Sequence, residues 1–134
     1  MFDHTGLIVT DLARSRRFYD AIAAALGFET MNNGDQAFLL GRSAKEPLPY
    51  LWIGTIRPSY WVEGSRAGLN QAHIAFAASD KGAVDAFHRA ALAAGGKDNG
   101  APGPRAGGGE YYGAFVLDPD GNNIEACVRG PAAR

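Results

Sequence analysis

An internal repeat constrains the fold of this chain more than any other feature of its sequence. Four pairs of identical residues are each separated by 69 positions: His4 and His73, Asp11 and Asp80, Phe18 and Phe87, and Gly27 and Gly96. Both copies place these residues in the same order: on a strand, at a helix N-cap, on the buried side of a helix and at a helix stop. The repeat predicts two copies of a βαβββ unit. Each copy is too small to bury its own helix and sheet well, so we expect the two to pair within the chain or across a dimer.

Apolar periodicity and turn residues predict an α+β chain of eight strands and two helices. The helices are expected from the Asp11 cap to Leu26, and from a cap at Ser79 or Asp80 to about Ala94. The expected strands are Phe2–Val9, Phe28–Met31, Gln36–Leu40, Pro49–Ile56, Asn70–Ala77, Lys97–Ala101 and the two strands of a hairpin within Phe115–Val128. Pro102–Glu110 is rich in glycine and proline and is predicted to be a loop.

We expect one domain over residues 1–134. Module 1 takes about residues 1–57, a connection about 58–69, module 2 about 70–129, and a tail 130–134. With 46% hydrophobic residues, a chain of 134 residues can bury the core of one domain.

Charge and cysteine content exclude several classes of function. The net charge of −1 and the absence of a long run of one charge do not support a nucleic-acid or membrane-surface role. A single cysteine, Cys127, excludes an internal disulfide and fits a reducing compartment. The N-terminus lacks a signal-peptide pattern and no apolar stretch is long enough for a membrane helix. These observations predict a cytoplasmic protein.

The hairpin FVLDPDGNNIEACV carries the most informative carboxylate of the chain. In its second strand, Ile124, Ala126 and Val128 alternate with Asn123, Glu125 and Cys127, so Glu125 is expected on the face opposite the core. A carboxylate held there needs solvent, a cation or a metal. His73 alternates with apolar neighbours in the same way and is also expected away from the helices.

These motifs together resemble a known family. The strand with His4, the helix DLARSRRFYDAIAAALGFE, the strand AHIAF with His73 and the hairpin DPDGNNIEAC with Glu125 are similar to the glyoxalase / bleomycin-resistance / extradiol-dioxygenase superfamily, also called vicinal oxygen chelate (VOC). The resemblance implies paired βαβββ modules that form curved mixed sheets, or half-barrels, with the helices outside and a small-molecule ligand inside. It also implies a homodimer.

The resemblance further implies a metal site formed by His4, His73 and Glu125, with Fe, Mn, Ni, Co or Zn as the divalent ion. Trp52 lies where glyoxalase I has a fourth, carboxylate ligand that helps move a proton. This departure disfavours glyoxalase I activity and leaves a lyase, a thiol transferase or a ring-cleaving dioxygenase. The alternative is a protein of the bleomycin-resistance type that binds a small molecule without metal, so enzymatic activity stays open at this stage.

Four residues are candidates for contact with a substrate, although none is assigned a catalytic role. Trp52 is expected in a pocket wall, and Tyr111 is expected to reach the cavity because Tyr112 points to the opposite face. Cys127 lies on the face of Glu125, where an inert thiol is the simpler interpretation. Arg105 lies on the Gly-rich loop, where it contacts either a polar ligand or solvent.

Overall fold

The computed structural model describes residues 1–69, 71–106 and 110–130. Its elements follow one another as a β-strand, an α-helix and three strands, and the same pattern then repeats. They are β1 (His4–Ile8), α1 (Leu12–Leu26), β2 (Glu29–Asn32), β3 (Ala37–Gly41), β4 (Tyr50–Gly54), β5 (His73–Ala77), α2 (Lys81–Ala93), β6 (Lys97–Pro104), β7 (Tyr111–Leu117) and β8 (Asn123–Arg129).

The strands form two separate sheets with the same topology. The strand order is β1-β4-β3-β2 in the first sheet and β5-β8-β7-β6 in the second. In each sheet the first strand of the module pairs in parallel with the last, and the other neighbours are antiparallel. The expected α+β fold of two βαβββ modules is therefore confirmed.

Of the helix caps and stops that the repeat predicts, both N-caps and the first stop are confirmed. Asp11 and Asp80 both cap a helix, accepting hydrogen bonds from the backbone amides of Arg14 (2.9 Å) and Ala83 (2.8 Å). Gly27 ends α1 in the left-handed conformation, with φ of 76°.

The prediction that Gly96 stops the second helix is wrong. Ala94 is the C-cap, and Gly95, which follows it, takes the positive φ of 97°. Gly96 is required for another reason, because a Cβ there would lie 2.5 Å from Val116 and 2.7 Å from Phe18. At this position the repeat reflects close packing rather than a cap.

Both helices bury the expected faces in one shared core. Phe18, Tyr19 and Ile22 of α1 and Val84 and Phe87 of α2 are completely buried. They belong to a single cluster that also contains the helix-facing side chains of both sheets. The two modules therefore fold around a common core within the chain, as their small size requires.

Polar contacts also join the two modules. The hydroxyl of Tyr19 on α1 donates to the Asp118 carboxylate at the end of β7, over 2.6 Å, and both residues are buried. The hydroxyl of Thr10 donates to Asp120 in the same turn, also over 2.6 Å. The turn that leads into β8 is thus fixed from the first module.

The boundary between the sixth strand and the loop that follows it differs from expectation. The sixth strand continues through Pro104, whereas the sequence predicted a strand only to Ala101 and a loop from Pro102. This strand lies at the edge of its sheet, where a missing amide proton is tolerated, and its pairing with β7 is irregular around Gly100 and Gly103. The predicted loop residues 107–109 and the predicted tail residues 131–134 lie outside the described residues. Among the described residues, no helix is long and apolar enough to span a membrane.

Candidate functional site

Each sheet packs one face on the helices, and we call the opposite face its open face. Matching rows of residues cross the two open faces. In the first sheet the row is Gly6, Trp52, Leu39 and Met31, and in the second it is Ala75, Glu125, Phe115 and Gly100. Because Gly6 and Ala75 are 69 residues apart, Trp52 holds in the first sheet the position that Glu125 holds in the second.

Glu125 is buried although it lies on an open face. Only 2% of the residue is exposed, and both carboxylate oxygens have partners. Oε1 accepts a short hydrogen bond from the hydroxyl of Tyr111, and Oε2 lies 3.2 Å from Nε2 of His73. The hydrogen bond to the carboxylate, with burial as a smaller cause, raises the pKa of Tyr111 to about 12. The three side chains form a compact cluster, which we call the Glu125 cluster.

Gly113 makes room for the Glu125 cluster. It lies on β7 two residues after Tyr111, on the same face. A Cβ at this position would lie 3.2 Å from Oε1 of Glu125 and 3.3 Å from the Tyr111 ring. The phenol can reach across the strand to the carboxylate because no side chain stands between them.

The surroundings of His73 determine which ring nitrogen carries the proton. Its Nδ1 lies 3.0 Å from the backbone carbonyl of Asn123, which can only accept a hydrogen bond. Nδ1 must therefore be protonated. Nδ2 of the Asn123 side chain lies 3.1 Å from the same nitrogen, and Nδ2 of Asn99 donates to Oδ1 of Asn123 over 3.1 Å; a protonated Nδ1 requires the oxygen and nitrogen of both amides to be exchanged.

His4 is oriented in a similar way on β1. Its Nδ1 lies 2.7 Å from the carboxylate of Asp3, which makes this nitrogen the donor, and its ring stacks on Tyr50 with 5.1 Å between centroids. His4 and His73 line the same cleft, of about 540 Å³, between the two modules. However, the described residues contain no group of three His, Cys, Asp or Glu side chains that could hold a metal ion within one chain. The three-ligand site therefore stays a prediction.

Trp52 covers the open face of the first sheet. A Cβ on Gly54 would lie 2.4 Å from the indole, and one on Gly6 would lie 3.9 Å from it. The indole thus lies flat over two glycines. It offers no group that accepts a proton, so this face is an apolar wall.

The other two candidates belong to the second module: Cys127 lies on β8, and Arg105 directly follows β6. Cys127 is half-buried, and burial followed by the charge of Glu125 raises the pKa of its thiol. The guanidinium of Arg105 lies 5.1 Å from the centre of the Phe115 ring, and a nitrogen of that group donates to the carbonyl of Ala101. The Phe115 ring is in turn 6.1 Å from the His73 ring.

Sequence reasoning missed the residues that orient the two histidines and make room for the Glu125 cluster. Asp3 and Asn123 each lie next to a predicted ligand in sequence or register, but nothing in their spacing distinguishes them from solvated polar residues. Gly113 carried a weak signal, because an isolated glycine inside a strand often marks a close approach.

Comparison with known proteins identifies the family. The model of the Glyoxalase/Bleomycin resistance protein/Dioxygenase superfamily matches residues 1–126. The chain is 34% identical to a lactoylglutathione lyase of Haemophilus influenzae in an alignment of 130 positions that covers 91% of this chain and 87% of that protein.

Solved structures agree with this assignment. A glyoxalase/bleomycin resistance protein from Albidiferax ferrireducens T118 shares 32% identity and a TM-score of 0.74, over 97% of this chain and 99% of that one. A glyoxalase-related enzyme from Fulvimarina pelagi, 18% identical, shares the fold with a TM-score of 0.72 over 100% of this chain and 95% of that one. The chain belongs to the glyoxalase/bleomycin resistance protein/dioxygenase superfamily.

Proposed function

We propose that this protein is a divalent-metal-dependent enzyme acting on a small molecule that presents two adjacent oxygen atoms. His4, His73 and Glu125 would hold the metal. The observation that carries the proposal is the pairing of His73 Nε2 with Glu125 Oε2 at 3.2 Å, inside a cluster where Glu125 is almost fully buried.

The donor set of the Glu125 cluster fits a cation. Nδ1 of His73 lies beside a backbone carbonyl, so if the ring carries a single proton it is on Nδ1, and Nε2 presents its lone pair to a carboxylate oxygen. Two acceptors this close repel each other unless a proton or a metal ion lies with them. An imidazole whose other nitrogen is bound to an oxygen acceptor is also the usual arrangement of a metal-ligating histidine.

His4 supports the same proposal. The carboxylate of Asp3 accepts a hydrogen bond from Nδ1, so in a ring with a single proton Nε2 carries the lone pair. Within the described part of the chain, that nitrogen makes no hydrogen bond or ion pair. Two histidines and one carboxylate suit Fe(II), and also Mn, Co, Ni or Zn.

We further propose that the enzyme is a homodimer in which the third ligand is brought in between subunits. Within one chain, His4 and the Glu125 cluster do not form a group of three, and among the described residues both helices pack on the faces opposite the open ones. A second copy would cover these faces and can supply His4.

The chain's own residues limit the reaction. A bound divalent metal would polarise a substrate oxygen as a Lewis acid and leave positions for substrate. Trp52 cannot act as a general base, so the first sheet orients and shields the substrate rather than moving its protons. The name of the Haemophilus relative supports a glutathione-linked lyase, but Trp52 counts against isomerisation of methylglyoxal by the usual route. A thiol transferase or a ring-cleaving dioxygenase needs only the three ligands.

Metal analysis tests the proposal directly. Protein purified without an affinity tag is stripped with chelator, reloaded separately with Mn, Fe, Co, Ni and Zn, and analysed by mass spectrometry of the metals. We expect about one ion per site for wild type, and a 10–100-fold or greater loss of affinity for His73→Ala and Glu125→Gln. His88→Ala is the matched control, because His88 lies on α2 and pairs with Asp98 of β6 rather than with a residue of the Glu125 cluster. No metal above background in wild type would refute the proposal.

Three activity assays separate the reaction types. They follow the formation of the thioester from methylglyoxal and glutathione, the addition of a thiol to an epoxide, and oxygen uptake with catechols. We expect Trp52→Glu to increase the first activity relative to wild type if the indole is what prevents it. A wild-type enzyme that is already efficient with methylglyoxal would contradict the assignment given to Trp52.

A second candidate function is metal-free binding of a small molecule. The apolar wall formed by Trp52 and Leu39 favours it, as does the direct contact between His73 and Glu125, which an imidazolium would also satisfy as an ion pair. This alternative predicts that ligand affinity survives chelator and the His73→Ala substitution. Loss of affinity in either condition would exclude it.

A further inference from the structure

The two oxygens of the Glu125 carboxylate have different surroundings. Oε2 lies beside Nε2 of His73, on the side where the metal is proposed. Oε1 accepts the hydroxyl proton of Tyr111. With 3% of the Glu125 side chain exposed, water cannot readily replace that phenol.

Tyr111 is held in this orientation by its neighbours. Its ring packs 4.0 Å below the guanidinium of Arg129, its cross-strand partner on β8. On the other side, Gly113 lets the ring lie against the strand without a clash. The phenol is therefore directed at one particular oxygen by packing from both sides.

We propose that Tyr111 is a positioning residue that restricts Glu125 to binding the metal through Oε2 alone. This inference rests on the proposed metal site and assigns to Tyr111 a task other than contact with substrate. A carboxylate that binds a metal through both oxygens occupies two coordination positions, whereas one oxygen occupies a single position. By retaining Oε1, the phenol keeps a position open for the second oxygen of a chelating substrate.

Replacement of Tyr111 by phenylalanine tests the inference with Co²⁺ as the metal. The change removes the hydroxyl and frees Oε1 but keeps the ring. We expect the visible absorption of the Co²⁺-loaded variant to weaken several-fold, as the coordination number rises. Acetohydroxamate, which binds through two oxygens, should lose roughly 10-fold in affinity relative to azide, which binds through one atom.

Tyr112→Phe is the matched control. Tyr112 is the next residue on the same strand, but its hydroxyl donates to Asp85 of α2 over 2.8 Å, on the helix side of the sheet. This variant should keep the wild-type Co²⁺ spectrum and the wild-type ratio of acetohydroxamate to azide affinity. Equal changes in both variants would indicate a structural effect and overturn the inference.

A metal-free measurement separates failure of this inference from failure of the proposed function. In protein labelled with ¹³C at the glutamate carboxyl, the Glu125 signal is identified by its absence in Glu125→Gln. We expect this signal to shift in metal-free Tyr111→Phe and to stay unchanged in Tyr112→Phe. An unchanged signal in Tyr111→Phe would overturn the inference even if the protein binds metal. If the signal shifts in Tyr111→Phe but the wild-type protein binds no Co²⁺, the metal site is refuted, and with it the role of Tyr111 in metal ligation.

Discussion

The buried hydrogen bond from Tyr19 to Asp118 leads to a sharp prediction about how the two modules are joined. Tyr19 is the largest completely buried side chain of the described residues, and its hydroxyl donates to Asp118 over 2.6 Å. Replacing Tyr19 by phenylalanine keeps the ring in the core and removes only the hydroxyl. The variant therefore isolates one contact between the first helix and the turn before β8.

The structure gives the size of the effect. A hydrogen bond to a charged group contributes about 1.5–3 kcal/mol. Asp118 still accepts hydrogen bonds from the backbone and side-chain amides of Asn122 and the backbone amide of Asp120, so it is not left without partners. We expect the free energy of unfolding in urea at neutral pH to fall by about 2 kcal/mol, and the melting temperature to fall by roughly 6–10 °C.

The same contact predicts a pH dependence. Burial first, and then the charge and hydrogen bond of Asp118, raise the pKa of Tyr19 well above its usual value. The folded state thus holds the phenol proton more tightly than the unfolded state, whose pKa is about 10. This contribution is fully present below pH of about 10 and is lost as pH rises above it. The stability difference between wild type and Tyr19→Phe should narrow in alkaline solution.

Tyr112→Phe is a suitable control for this experiment as well. Its hydroxyl also donates to a carboxylate, that of Asp85, but the pair lies near the surface. The loss of stability should be clearly smaller than for Tyr19→Phe. An equal loss in the two variants, or a difference for Tyr19→Phe that does not narrow with rising pH, would refute the reasoning.

Three further predictions concern positions around the open faces. Gly113→Ala should lower the free energy of unfolding in urea by about 1 kcal/mol, because the new methyl group separates the phenol from the carboxylate. The control is Gly103→Ala: Gly103 is the cross-strand partner of Gly113 and has open space around it, so this change should be neutral or stabilising. Cys127 should react with iodoacetamide at mildly alkaline pH more slowly than glutathione does, because its thiol pKa is raised, and unfolding in urea should remove the difference. Gly54→Ala should destabilise the fold by about 1–3 kcal/mol, because the new methyl group would lie 2.4 Å from the Trp52 indole; a wild-type melting temperature would contradict this packing.

The fold could be predicted because the repeat reports on local chemistry that recurs in both modules. Asp11 and Asp80 cap helices through the same contact, to the backbone amide three residues later. Phe18 and Phe87 are both completely buried. Capping and burial depend on a few neighbouring residues, so the sequence pattern alone was sufficient to locate them.

Features that depend on distant parts of the chain were less accessible. Gly96 repeats Gly27 in sequence, yet it is needed because Val116 and Phe18 approach its backbone. The extension of β6 through Pro104 depends on the strand lying at a sheet edge, which the local sequence does not reveal. In both cases tertiary contact, not propensity, decides the structure.

The Glu125 cluster shows the same division between local and distant information. Alternation along β8 correctly placed Glu125 opposite the apolar residues, but it left open whether the carboxylate meets solvent, a cation or a metal, and it did not reveal that the side chain is buried. The phenol that contacts it belongs to Tyr111, which lies on the neighbouring strand four residues before Phe115, the register partner of Glu125, with Gly113 opening the path between them. No pattern within one strand contains that relation.

The difference between the two open faces gives the chain its functional asymmetry. Glu125 and Trp52 hold the same register position in sheets of identical topology, so the fold itself does not decide what either position does. At one position, a glycine on the neighbouring strand lets a phenol reach a carboxylate; at the other, two glycines let an indole cover the sheet. A carboxylate can be kept at the first position because hydrogen-bonding partners surround it. At the second position the apolar indole occupies the space where such partners would lie. This asymmetry is why we propose that the second sheet supplies two metal ligands, His73 and Glu125, whereas the first supplies His4 and an apolar wall beside the substrate.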